Sequence, residues 1–199
     1  MKALLLEEYK NLSFTDMPQP EMDELDVLVQ IKACGICGSD IHGFDGSSGR
    51  RVPPLIMGHE AAGVVTEVGQ GVSLIQPGDH VVVSLMRSCG RCYSCIRGEM
   101  HLCETKLPID NEHRIRNEQG QPVLQGLRTG AFSEYVVVDQ SQLVSIPVEM
   151  SLDSSALLGC AVITGLGAVM TTARVSAGSS VAKEWATRIA LQDCIVIDN

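Results

Sequence analysis

Residues 89–103 read Cys89-Gly90-Arg91-Cys92-Tyr93-Ser94-Cys95-Ile96-Arg97-Gly98-Glu99-Met100-His101-Leu102-Cys103, a C-x2-C-x2-C-x7-C pattern. Four thiols this close can converge on one tetrahedral Zn²⁺, because short loops between ligands leave little chain entropy to lose on binding. The intervening Gly90, Arg91, Tyr93 and Ser94 lack the apolar periodicity of a core element. A metal therefore closes this lobe where a hydrophobic core cannot. The competing reading is a disulfide knot, which an oxidising compartment would favour. A site sealed by four thiolates keeps no open position and assigns no chemistry by itself.

Working outward, residues 27–33 (VLVQIKA), 62–68 (AGVVTEV), 80–83 (HVVV) and 135–138 (YVVV) read as strands. Turn signals at Val68-Gly69-Gln70-Gly71 and Gln76-Pro77-Gly78-Asp79 separate them. Residues 104–130 are polar and read as a long loop. Short strands at this spacing predict a small, partly open β-barrel over residues 1–150, with the zinc lobe at 86–125. Near residue 150 the character changes. Ser151 to Ser155 starts a helix that continues through Leu157, Cys160, Ile163, Ala168 and Met170. A strand–helix–strand unit then ends at Cys194-Ile195-Val196-Ile197-Asp198. The fold class expected is mainly β with an α/β tail at 151–199.

The bulk composition narrows the function classes. The 199 residues are 45% hydrophobic but include only 1 Trp, 3 Tyr and 3 Phe, so the core must be aliphatic. A formal charge of −9 argues against nucleic acid or an anionic membrane as partner. No eighteen-residue apolar run exists, and Glu7-Glu8 turns the N-terminus acidic too soon for a secretory segment. Eight cysteines without an export signal read as metal ligands in a reducing cytoplasm.

Chemistry gathers in three places. Gly35-Ile36-Cys37-Gly38-Ser39-Asp40-Ile41-His42 ends a strand, Gly58-His59-Glu60 follows, and Gly159-Cys160-Ala161-Val162-Ile163-Thr164-Gly165 comes much later. Cys37, His59 and Cys160 offer two sulfurs and one nitrogen, the composition of a zinc site with a fourth position open. Such an ion lowers the pKa of a bound water or alcohol by several units. Asp40 and Glu60 adjoin these ligands, Asp40 placed to fix the His59 tautomer. Ser39 and His42 are placed to carry a proton from the metal to water.

Together GICGSDIH, MGHEAAGVVTEVG, the segment Ile75–Val82, the four-cysteine lobe, GAFSEY and GCAVITG resemble zinc-dependent alcohol dehydrogenases of the medium-chain dehydrogenase/reductase superfamily. The resemblance covers residues 1 to about 182, with six motifs in the family order. It implies a GroES-like catalytic domain followed by a Rossmann domain, NAD or NADP as hydride acceptor, and an alcohol or aldehyde as substrate. It also implies two zinc ions, one catalytic and one structural, and a homo-oligomer. By position, Cys37, His59 and Cys160 ligate the catalytic zinc with Glu60 beside them. Ser39 and His42 form the proton relay, Thr164 faces the nicotinamide, Leu85 walls the substrate pocket, and Asp198 is the ribose-binding acid. Cys160 in its setting resembles the alcohol dehydrogenase branch, including glutathione-dependent formaldehyde relatives. The stretch 45–51 is reminiscent of polyol or threonine dehydrogenases, which leaves the substrate class open.

Gly38 departs from the basic residue that many alcohol dehydrogenases use for the cofactor pyrophosphate. The pattern then breaks. No glycine follows Gly178, so the G-x-G-x-x-G turn that brings backbone N–H groups to a pyrophosphate is missing. Only twenty residues run from Ser179 to Asp198, where a full unit takes about thirty. The expectation is an incomplete Rossmann segment that binds dinucleotide poorly. Two functions follow: an alcohol dehydrogenase-type oxidoreductase that is incomplete in this chain, or a non-enzymatic zinc-binding remnant or subunit partner.

Overall fold

The computed structural model describes residues 1–107, 109 and 113–179. The strand–helix–strand unit expected to end at Asp198, with Cys194, lies outside the described residues from Ser180 onward. In chain order the elements are β1 (Lys2–Glu8), β2 (Asn11–Asp16), β3 (Asp26–Gly35), α1 (Gly38–Phe44), β4 (Leu55–Ile56), β5 (Glu60–Val68) and β6 (His80–Val83). There follow α2 (Tyr93–Ile96), β7 (Ile115–Arg116), β8 (Pro122–Gln125), β9 (Tyr135–Asp139), β10 (Leu143–Ser145), α3 (Leu152–Ala156) and α4 (Ala161–Leu166). The strands form two five-stranded sheets, ordered β2-β1-β4-β8-β7 and β10-β6-β5-β3-β9, and neither closes into a barrel.

The four strands expected from sequence all fall in the second sheet. Central β3 pairs antiparallel with β5 and β9, and Val27 and Val29 pack with Val65, Val81, Val83, Val136 and Val138 on one face. Leu28 and Val137 point the other way, onto Ile109. Burial on both faces makes these strands continuous valine runs rather than alternating ones. Each such side chain contributes about 1.5–3 kcal/mol when fully buried. The sheet is therefore a rigid platform, and the end of β3 and the start of β5 carry the chemistry.

Two expectations need correction. The loop read over 104–130 contains β7 and β8, antiparallel to each other, with β8 also parallel to β4. Its polar residues make the turn: Asn117 Oδ1 accepts from Gln119 N at 3.1 Å and Gln121 N at 2.8 Å. The helix read continuously from 151 is broken. A 3₁₀ turn spans Leu157–Gly159, and Cys160 adopts φ −142°, ψ −71° before α4 begins. The two helical pieces bend by 52° at that point, and no single helix among the described residues is long and apolar enough to cross a membrane. A helical Cys160 would follow the rod; the break turns its thiol toward the end of β3.

Candidate metal centres

Cys37 caps the N-terminus of α1 immediately after β3, while His59 and Glu60 lead into β5 beside it. Gly35 pairs with Glu60 in the sheet, so register alone brings the two segments together. Gly58 lets the chain enter that corner. Its φ is +89°, and a Cβ there would lie 2.6 Å from the Phe132 ring and 2.7 Å from the Phe132 backbone N. Its carbonyl accepts from Ala131 N at 2.9 Å and Thr129 Oγ1 at 2.7 Å, so the GAFSEY region pins the His59 loop. Cys160 arrives from α3 because Gly159 passes so close to the sheet that a Cβ would meet Val83 O at 2.7 Å. Replacing Gly58 with alanine combines a left-handed backbone with a backbone clash. It should lower stability by about 2–4 kcal/mol in a denaturant titration, whereas alanine at Gly165, which is helical and has open space at its Cβ, should raise stability by up to about 1 kcal/mol.

The result is convergence. One ligand atom from each of Cys37, His59, Glu60 and Cys160 lies within 4.8 Å of every other. Cys37, His59 and Glu60 are 3%, 1% and 2% exposed and Cys160 is half-buried, so three of the four ionisable groups are almost closed to solvent. Burial of that kind is unfavourable unless the charges find partners. The Cys160 thiol hydrogen-bonds Cys37 and, against burial and with help from His59 and Ser39, pulls its pKa down to about 2. The same bond and burial push Cys160 up. Burial opposes the charged His59 ring, but Asp40 and the Cys37 thiolate outweigh it and push His59 up to about 9. Burial, then the Cys37 charge, raises Glu60. Glu60 Oε1 is buried without a hydrogen-bond partner. An orphaned carboxylate oxygen beside two sulfurs and an imidazole is a donor set short of its cation, and borderline-soft Zn²⁺ fits it. Sequence placed Glu60 beside the ligands; the structure puts its oxygen among them.

Asp40 organises this centre from behind. It is 3% exposed, and its Oδ2 accepts from Cys37 N at 3.1 Å while Oδ1 accepts from Gly58 N at 3.4 Å. His59 Nδ1 lies 3.4 Å from Oδ1, an approach that leaves Nε2 to face the ligands but is not a well-formed hydrogen bond. Arg51, which sequence reasoning did not single out as a site residue, completes the frame. Its Nη1 donates to the Ser39 carbonyl and stands 3.7 Å from Asp40 Oδ1. No motif marks Arg51; only a buried arginine beside a ligand loop could have suggested it.

Ser39 joins two features, since its hydroxyl serves Cys37 and its residue lines a cavity of about 420 Å³ together with His42. His42 is exposed, and its Nδ1 is 3.2 Å from Ser47 Oγ. The structure does not bring Thr164 into the cluster: it sits exposed one turn along α4, its N–H bonded to Cys160 O at 2.9 Å. Leu85 is half-buried and does not line this cavity, and Asp198 lies outside the described residues.

The second centre is the lobe. Cys89, Cys92, Cys95 and Cys103 place their sulfurs within 4.8 Å of one another. Cys92 Sγ is 3.5 Å from Cys95 Sγ and 3.8 Å from Cys103 Sγ. A tetrahedron with Zn–S arms of about 2.3 Å has edges of about 3.8 Å, and a disulfide would need about 2.05 Å. The described cysteines are all free thiols, so the disulfide reading is not realised. The Thr105 hydroxyl helps hold Cys89 down to about 6, and the Cys89 N–H lowers Cys103. His101 stays outside the cluster.

The alcohol dehydrogenase GroES-like domain family matches residues 23–148. An S-(hydroxymethyl)glutathione dehydrogenase of Escherichia coli O1:K1 / APEC is 40% identical over 174 residues, which are 84% of this chain and 46% of that protein. Among solved structures, an alcohol dehydrogenase zinc-binding domain protein from Burkholderia ambifaria superposes with a TM-score of 0.78 at 29% identity, covering 90% of this chain and 50% of the other. A zinc-binding dehydrogenase from Sinorhizobium meliloti, bound to NADP, gives 0.62 at 32% identity over 88% and 45%. The chain thus spans about half the length of the relatives it matches.

Proposed function

This chain belongs to the alcohol dehydrogenase GroES-like domain family, and from that premise we propose that it is the zinc-binding catalytic portion of an oxidoreductase acting on primary or secondary alcohols. One observation carries the reading: Cys37, His59, Glu60 and Cys160 converge beside a cavity that Ser39 and His42 line. Bound zinc would supply Lewis-acid polarisation of the alcohol, and NAD or NADP would accept the hydride. Cys37, His59 and Cys160 would hold the ion, while Asp40 fixes the faces that Cys37 and His59 present. The Glu60 carboxylate lies within 4.8 Å of their ligand atoms and would be a further donor to the ion. Ser39 takes the hydroxyl proton inside the cavity, and exposed His42 returns it to water. Reduced thiols and two thiolate-rich centres suit the cytoplasm.

The test is metal analysis of the purified chain beside turnover of short alcohols with NAD and NADP. Two zincs per chain, falling to one in Cys37→Ser, together with turnover abolished by that change, support the reading. One zinc in the unaltered protein sinks it. A second reading is a zinc-binding subunit partner, favoured by the four-thiol lobe, a metal centre that keeps no open position and assigns no chemistry of its own. Two zincs with neither turnover nor NADH binding would select it.

Zinc uptake at this centre should also be coupled to protons. Near pH 7, His59 and Cys160 hold protons that the metal must displace, whereas Cys37 is already a thiolate. Affinity should therefore rise with pH by about a hundredfold per unit up to about 9, where His59 ceases to contribute. Chelator competition between pH 6 and 9 reads this slope. A flat profile would show that the imidazole and thiol protons are not displaced.

A further inference from the structure

The chain carries 24 acidic against 15 basic residues, yet the cavity of about 420 Å³ beside Ser39 reverses that balance. It is lined by Arg50, Arg51 and His42 together with apolar residues such as Leu55 and Leu127, with no Asp or Glu in its wall. The two arginines differ in what they do. Arg51 is committed to the frame, donating to the Ser39 carbonyl and facing Asp40 at 3.7 Å, with a side chain only 10% exposed. Its charge is matched by that buried carboxylate. Arg50 is exposed, and no carboxylate among the described residues pairs with it. The cavity lining therefore includes one guanidinium that no carboxylate among the described residues pairs with, together with Ser39 and His42, the residues read above as handling a hydroxyl proton.

We propose that Arg50 is the anion-binding residue of this cavity, and that the alcohol taken by the site carries its own carboxylate or phosphate group. A guanidinium presents paired donors that match either oxyanion bidentately. The volume suits a ligand of small-molecule size. An acid group on Arg50 and a hydroxyl at Ser39 would then lie within one molecule's reach. The assignment rests on the reading of Ser39 and His42 as the hydroxyl end of the site. The same chemistry could be met by the phosphates of a dinucleotide, so the test separates the two sources.

Calorimetric titration of the zinc-loaded chain would use glycerol 3-phosphate as the anionic alcohol, glycerol as its neutral counterpart, and ADP-ribose as the dinucleotide phosphate donor. The variants are Arg50→Gln and Arg50→Lys, with zinc content measured on every sample. We expect saturable binding of glycerol 3-phosphate, weakened about 10–100-fold by Arg50→Gln and partly restored by Arg50→Lys, while any glycerol binding is unchanged. Equal binding to Arg50→Gln would place the anion on the metal and overturn the proposal. So would no saturable binding at all, or displacement by ADP-ribose with a larger dependence on Arg50. Failure of the metal-centre reading is visible separately: it shows as a missing second zinc, whereas an Arg50-dependent titration can survive in Cys37→Ser.

Discussion

Replacing Cys95 with serine should release one zinc per chain and unfold the segment from Cys89 to Cys103 while leaving both sheets intact. Local hydrogen bonds and the convergence of four thiols, rather than a core, shape this lobe. None of its residues belongs to a hydrophobic cluster of the described structure, and Tyr93, Ile96, Met100 and Leu102 are exposed. The four-residue α2 is far too short to persist alone. What remains is four thiols, with Cys95 the most buried and pushed by burial up to about 11. Without a cation, ionising such a thiol beside three others is unfavourable, so the apo lobe has neither charge balance nor core. Structural zinc contributes about 10–16 kcal/mol of binding free energy to small domains near neutral pH, and three ligands recover only part of it. Limited proteolysis at Arg91 and Arg97 should turn from slow to rapid in Cys95→Ser, while the main denaturant midpoint stays nearly unchanged. A lobe that remained protected without its zinc would refute this account.

That independence explains why the lobe was legible at once. Its spacing is local, and the chemistry needs no partner from elsewhere in the chain. The valine runs of β3, β5, β6 and β9 were equally plain, because burial on both faces leaves a continuous apolar signal. The first sheet was not. The β1–β2 hairpin turns through Tyr9 and Lys10, with Lys10 at φ +66° and no glycine to announce the reversal. Strands β7 and β8 bury one residue each, Ile115 and Val123, which is too little periodicity to read. At the candidate site the donors were visible as residue types, but their supports were not. The break at Cys160 and the placement of Arg51 depend on contacts between segments more than ten residues apart, and such contacts leave no local trace.

Asp40 is where this hidden support should have its largest measurable effect. In Asp40→Ala the Cys37 and Gly58 N–H groups lose their acceptor, and Arg51 loses its buried carboxylate. Removing one partner from such a buried charge cluster costs about 3–5 kcal/mol, so this variant should be severely destabilised. Asp40→Asn keeps the shape and an acceptor oxygen, and it separates two roles of the carboxylate. Orientation of His59 favours zinc, and its loss should weaken binding about 10–100-fold. The negative charge of Asp40 also helps raise His59 to about 9, which favours the competing proton. The sign follows from that shift. Above pH 9 the ring is already neutral and only the loss of orientation is felt. Between 6.5 and 9 the variant regains part of its loss, because its imidazole gives up the proton more readily. The zinc deficit of Asp40→Asn should thus be widest at alkaline pH and narrow as pH falls toward 6.5, read by chelator competition. A deficit constant with pH would mean that Asp40 positions the ring without setting its charge, and one that widened on acidification would contradict the electrostatics of the site.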